Sequence, residues 1–110
     1  MDSNDAFLDT WKRGIVASGA PGLFYGAGLH DQISERDRLA PKTPEINKKI
    51  TSFPKSRAAF IAALVSFHNS EEGAKLAKKV GCNGFGDLAL SLDSTQRSII
   101  ADLLIFYKGW

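Results

Sequence analysis

The chain holds a single cysteine, Cys82, so no disulfide can form within it. A lone thiol fits a reducing compartment and sets the expected location as the cytoplasm. Histidine is almost as scarce: His30 and His68, even taken with Cys82, have no zinc-ligand spacing, so no metal site and no cofactor is expected. Long apolar runs are missing too. The longest uncharged stretch, Gly14 to Leu29, has sixteen residues, against about 20 for a bilayer-spanning helix. It is rich in glycine and broken by Pro21, which makes it a poor helix. The segment before it carries Asp2, Asp5 and Asp9, so it does not read as a signal peptide either. Internal repeats and low-complexity tracts are absent, and the second half shows no strand pattern.

What is present is enough for a globular core. The 110 residues are 44% hydrophobic, 24% charged and 10% aromatic, ordinary proportions for one folded domain over residues 1–110. Net charge is only +2, but it is unevenly placed. Seven basic residues stand between Arg36 and Arg57 against Asp37 and Glu45, a local +5, and the rest of the chain is acidic.

Apolar periodicity predicts an all-α bundle of five or six short helices. Phe7, Trp11 and Ile15 repeat at i, i+4, i+8 in a first helix from Asn4 to Ala17. A glycine-rich loop over 18–29 follows; its Leu23, Phe24 and Tyr25 are too apolar for solvent, so they either fold onto the core or meet a partner. A charged helix is expected over Leu29–Ala40, offering Leu29, Ile33 and Leu39 inward, and a basic connector spans 40–53. Within it, Thr43-Pro44-Glu45 reads as a hydroxyl-capped helix start. From Pro54 to Asn69 the chain is apolar nearly all round, as a central helix is. Ser70–Val80 has acidic residues first and lysines last, with Gly81 as a left-handed stop. A short element over Gly86–Leu92 precedes a helix from the capping pair Asp93 and Gln96 to Tyr107. The expected core is Phe7, Trp11, Phe60, Leu64, Phe67, Val80, Ile100, Leu103 and Leu104, with Tyr107 also inward and Ile105 outward.

The chemistry-bearing motifs are few. Glu72–Leu90 has the small residue (Ala77) and turn glycine (Gly81) of a helix-turn-helix, but its second helix begins Gly84-Phe85-Gly86-Asp87, without side chains that read bases. The glycines around Gly84 and Gly26 lack the strand and the lysine of nucleotide-binding loops. Cys82 and His68 are the one nucleophile–base pairing to consider, and a small buried thiol is the plainer reading of Cys82. Glu71-Glu72 is helix-end charge, because adjacent helical residues point about 100° apart.

No catalytic residue is therefore assigned. The expected function is a small non-enzymatic binding module, an adaptor, inhibitor or regulator working through protein contact. Its candidate contact residues are Leu23, Phe24, Tyr25, Lys48, Lys49, Lys55, Arg57 and Trp110. Trp110 is taken either as an interface anchor or as a cover over the bundle base. A homodimer is compatible with this reading. Nucleic acid is the alternative partner, bound by residues 72–90 or by the basic segment 36–57.

Overall fold

Helix α1 (Ser3–Ala17) turns its predicted stripe inward: Phe7, Leu8, Trp11 and Ile15 are all buried. The computed structural model describes residues 3–110, with side chains for all of these but residues 3–5, 30 and 31. Asp2 and the side chains of Asp5 and His30 thus lie outside the described residues. Trp11 is fully buried and its indole Nε1 donates to the Leu39 carbonyl at 2.9 Å, which satisfies the one polar atom of the ring. The helix ends on Ser18, whose buried hydroxyl donates to Ile15 O and accepts from Ala20 N.

The stretch between α1 and the central helix is built differently from the expectation. The loop over 18–29 folds inward: Leu23 and Phe24 are buried, and Phe24 makes an antiparallel bridge with Pro41. Tyr25 N donates to Ala40 O and Lys42 N to Leu23 O, so the loop is tied to the connector by backbone bonds. The helix predicted over Leu29–Ala40 is not formed. Two 3-10 segments, Ala27–Gln32 and Arg36–Leu39, stand there instead, separated by extended backbone at Glu35. The reason is geometric. Ile33 and Leu39 are both buried, and six residues of straight α-helix would set them about 120° apart, so the broken path turns both squarely inward. Leu29, expected inward, is exposed.

Helix α2 (Thr43–Lys49) starts at the predicted proline turn but without a hydroxyl cap; Lys42 holds the cap position and its side chain makes no capping bond. A 3-10 turn (Ile50–Ser52) leads to α3 (Lys55–His68), which buries Ala58, Ala59, Phe60, Ile61, Ala62, Leu64 and Val65, as its composition required. Asn69 caps α4 (Ser70–Lys79) by accepting from Glu72 N. Gly81, at φ +78°, turns the chain out of that helix. Short α5 (Phe85–Ser91) follows, then α6 (Ser94–Phe106), whose capping box of Asp93 and Gln96 is present.

Among the described residues four of the six α-helices form two close pairs. α4 lies along α3 and α6 along α1, with α5 beside α3. The described residues contain no strand. A radius of gyration of 12.8 Å is close to the ~13 Å of a folded chain of this length. Two core expectations need correction. Leu104 is exposed because the buried stripe of α6 runs through Gln96, Ile99, Ile100 and Leu103, and Leu104 stands at its edge. Tyr107 is exposed as well, since the helix ends at Phe106; its ring tilts over Phe7 and Phe67. Phe67 and Val80 are only half-buried against the core.

Candidate partner-binding groove

Helices α3, α4 and α5 enclose a groove of about 280 Å³. Small side chains make it. Ala59 and Ala62 of α3 form the floor with Gly73 of α4 and the thiol of Cys82, while Ala63, Ala74 and Ala77 form the sides. Gly73 is decisive here: a Cβ on it would stand 2.4 Å from Ser66 Cα, so the two helices touch backbone to backbone. The Ser66 hydroxyl, which also lines the groove, donates to Ala63 O at 2.6 Å, leaving the surface apolar.

One wall is α5, and it is the exceptional element of the fold. None of its residues is fully buried. Phe85 is 83% exposed and Leu90 85%, with Leu88 half-buried against the groove. The helix is nonetheless held in place: Asp87 accepts from Asn83 N at 2.9 Å, and Arg97 of α6 donates to Ala89 O. A ring the size of Phe85 left in solvent at the lip of an apolar groove is an interface feature more than a core one.

Cys82 is buried, and its pKa is raised, first by burial and then by the Asp87 carboxylate; Lys55 opposes them. The sulfur is therefore a protonated, weakly nucleophilic part of the floor at neutral pH. It is not paired with His68. Cys82 shares the groove with Ala59 near the start of α3, whereas His68 ends that helix and packs edge-on against Trp110 at 4.9 Å. Nine residues of helix, about 13 Å, separate the two positions. The structure thus dissolves the only nucleophile–base pairing considered. No cluster of three or more His, Cys, Asp or Glu is placed to hold a metal among the described residues. None of their helices is long and apolar enough to cross a membrane.

The residues singled out in the sequence scatter over three places. Leu23 and Phe24 are core residues and offer no contact surface; hydrophobic burial claims them once the loop folds back. Tyr25 alone of that trio is exposed, with the Lys42 ammonium 5.4 Å from its ring centre. Trp110 folds back over the bundle. Its ring meets Trp11 at 4.8 Å and Phe7 at 6.0 Å, its Nε1 donates to Asp37 at 2.6 Å, and its carbonyl accepts two bonds from Arg36. It is a cover for the aromatic core and not a free anchor. Arg57 lies over the Phe53 ring at 5.6 Å. Lys48, Lys49 and Lys55 are exposed.

The helix-turn-helix likeness becomes α4 and α5 with a glycine turn, and α5 carries Asp87 and no basic residue. Sequence reasoning missed the groove. Its signal was there as Ala59-Ala62-Ala63-Ser66 and Ser70-Gly73-Ala74-Ala77, two runs of small residues at helical spacing. Only the pairing of α3 with α4 makes them one surface. Comparison with protein-family models, with curated proteins and with solved structures gave no match.

Proposed function

We propose that this protein is a non-enzymatic binding module of the cytoplasm that receives an apolar segment of a protein partner in the α3–α4–α5 groove. The observation that supports it is α5 itself: a seven-residue helix with no fully buried side chain, presenting Phe85 beside an apolar groove. So short a helix is not stable alone in water. This one is held by hydrogen bonds from Asn83 and Arg97 while Phe85 and Leu90 stay outside. A partner's leucine or phenylalanine seated among Ala62, Ala63, Ala74 and Phe85 would cover that surface, and apolar anchors in small pockets dominate binding energy at such interfaces. The cytoplasmic setting is carried by the lone buried cysteine.

Selection from a random peptide library displayed on phage tests the proposal. Enriched peptides are expected to carry apolar residues at i, i+3/i+4 and i+7, and to lose binding to Phe85→Glu and Ala74→Arg proteins. Peptides that bind both variants as well as the parent protein would refute the groove as the site.

A further inference from the structure

At the start of α3 the groove meets a second depression. Ala59 lines the groove, and its neighbour Ala58 lines a cleft of about 240 Å³. The floor of the cleft is apolar, from Ile50, Phe53, Ala58 and Val80, and Lys55 and Lys79 stand at its edge. These two lysines are 24 positions apart in the chain and on different helices. Lys79 Nζ donates to Asn47 O at 2.8 Å and to its Oδ1 at 3.2 Å, which pins the end of α4 to α2. Asn47 is followed by Lys48 and Lys49, the last residues of α2. Lys55 Nζ reaches 3.5 Å from Gly81 O, the residue before Cys82 of the groove. Exposed Lys55 and Lys79 thus edge the cleft from α3 and α4, and exposed Lys48 and Lys49 follow Asn47 at the adjoining end of α2. The nearby carboxylates are turned to other tasks: Glu45 sits in the first turn of α2, away from its lysine end, and Asp87 holds Asn83 N.

Resting on the groove reading above, we infer that the partner is an acidic amphipathic helix, its apolar stripe in the groove and its carboxylates over Lys48, Lys49, Lys55 and Lys79. Charge complementarity selects this occupant. So does length: residues 55–66 of α3 run beside both depressions, a rise of about 16 Å and so about three helical turns. A nucleic acid suits the cleft less well. Phe53, its one aromatic ring, has the Arg57 guanidinium over one face, so the cleft lacks the series of open rings that stacks successive bases, and its apolar floor does not match a sugar-phosphate chain.

The test is fluorescence anisotropy with three labelled probes at low and moderate salt. The first is a helical peptide of about three turns with a leucine stripe and glutamates in a terminal turn. The second replaces its glutamates with glutamines, and the third is a single-stranded DNA of similar length. The acidic peptide is expected to bind about tenfold more tightly than the glutamine peptide at low salt, and the gap should narrow as salt rises. Lys48→Gln/Lys49→Gln and Lys55→Gln/Lys79→Gln proteins should each close much of that gap. Equal binding of both peptides, lost in Phe85→Glu, overturns the acidic partner and leaves the groove standing. Failure of both peptides to bind overturns the groove with it. Tighter binding of the DNA than of the acidic peptide overturns the inference in favour of a nucleic-acid surface.

Discussion

Gly73→Ala is the substitution in which two well-measured effects oppose each other, and the structure says which wins. In an ordinary helix interior, alanine in place of glycine stabilises by about 1 kcal/mol, because glycine loses more backbone freedom on folding. Gly73 sits inside α4, so helix propensity alone predicts a gain. Its surroundings predict a loss. The added Cβ would lie 2.4 Å from both Ser66 Cα and Cβ and 2.6 Å from Ser66 N, where 3.4–4 Å is ordinary contact. Two of those three atoms are backbone, so no rotamer change relieves the clash and α3 and α4 must part by about 1 Å. A gap of that size forfeits a quarter to a half of the dispersion contact across an interface, and overpacking costs about 1–3 kcal/mol or more. The net expectation is a loss of about 2 kcal/mol, or roughly 10 °C in Tm for a chain of this size.

Gly86→Ala is the control: Gly86 is also helical, in α5, but nothing lies within 4 Å of its Cβ position. There the propensity term stands alone, and a gain of about 0.5 kcal/mol is expected. Urea unfolding followed by tryptophan fluorescence and circular dichroism reads both. Ser66→Gly in the Gly73→Ala background should not restore stability, because the Cα and N contacts persist. A Gly73→Ala protein as stable as the parent would refute the close approach of the two helices, and with it the shape of the groove.

Three further expectations follow from the same contacts. Trp11→Phe leaves the buried Leu39 carbonyl without its donor and a void beside Phe24; it should cost about 3 kcal/mol, read by urea unfolding with Trp110 as the remaining fluorophore. Asp93→Ala removes the carboxylate that accepts from Gln96 N and should cost about 1 kcal/mol in thermal unfolding, while Asp93→Asn keeps most of it. Cys82 should react slowly with a disulfide reagent at neutral pH, its rate climbing only above the usual thiol range, and Asp87→Asn should move that rise to lower pH. For stability the sign is fixed by the raised folded pKa. The contribution of Cys82 is complete below the unfolded thiol's value of about 8.5 and is lost as pH rises through it towards the folded value. A denaturation series across that window that stays flat for Cys82→Ser and falls for the parent checks it.

The sequence by itself determined the helices whose signals are local. The capping pair Asp93–Gln96, the stop at Gly81, the start near Pro44 and the stripe Phe7-Trp11-Ile15 all depend on neighbours within one or two turns. Backbone geometry and solvent decide such features before any distant contact forms. It also determined that α3 is central, since a helix apolar on all sides has nowhere else to go. Tertiary structure decided the rest. Residues 27–39 break into 3-10 turns because Ile33 and Leu39 must both reach one core. Trp110 becomes a cover because Arg36 and Asp37 await it from 74 and 73 positions away. The groove exists because Gly73 lets α4 lie directly on α3, and the lysine ends of α2 and α4 adjoin because Lys79 reaches Asn47. Such surfaces are made of residues far apart in the chain, and hydrophobic pattern carries no record of which distant faces meet.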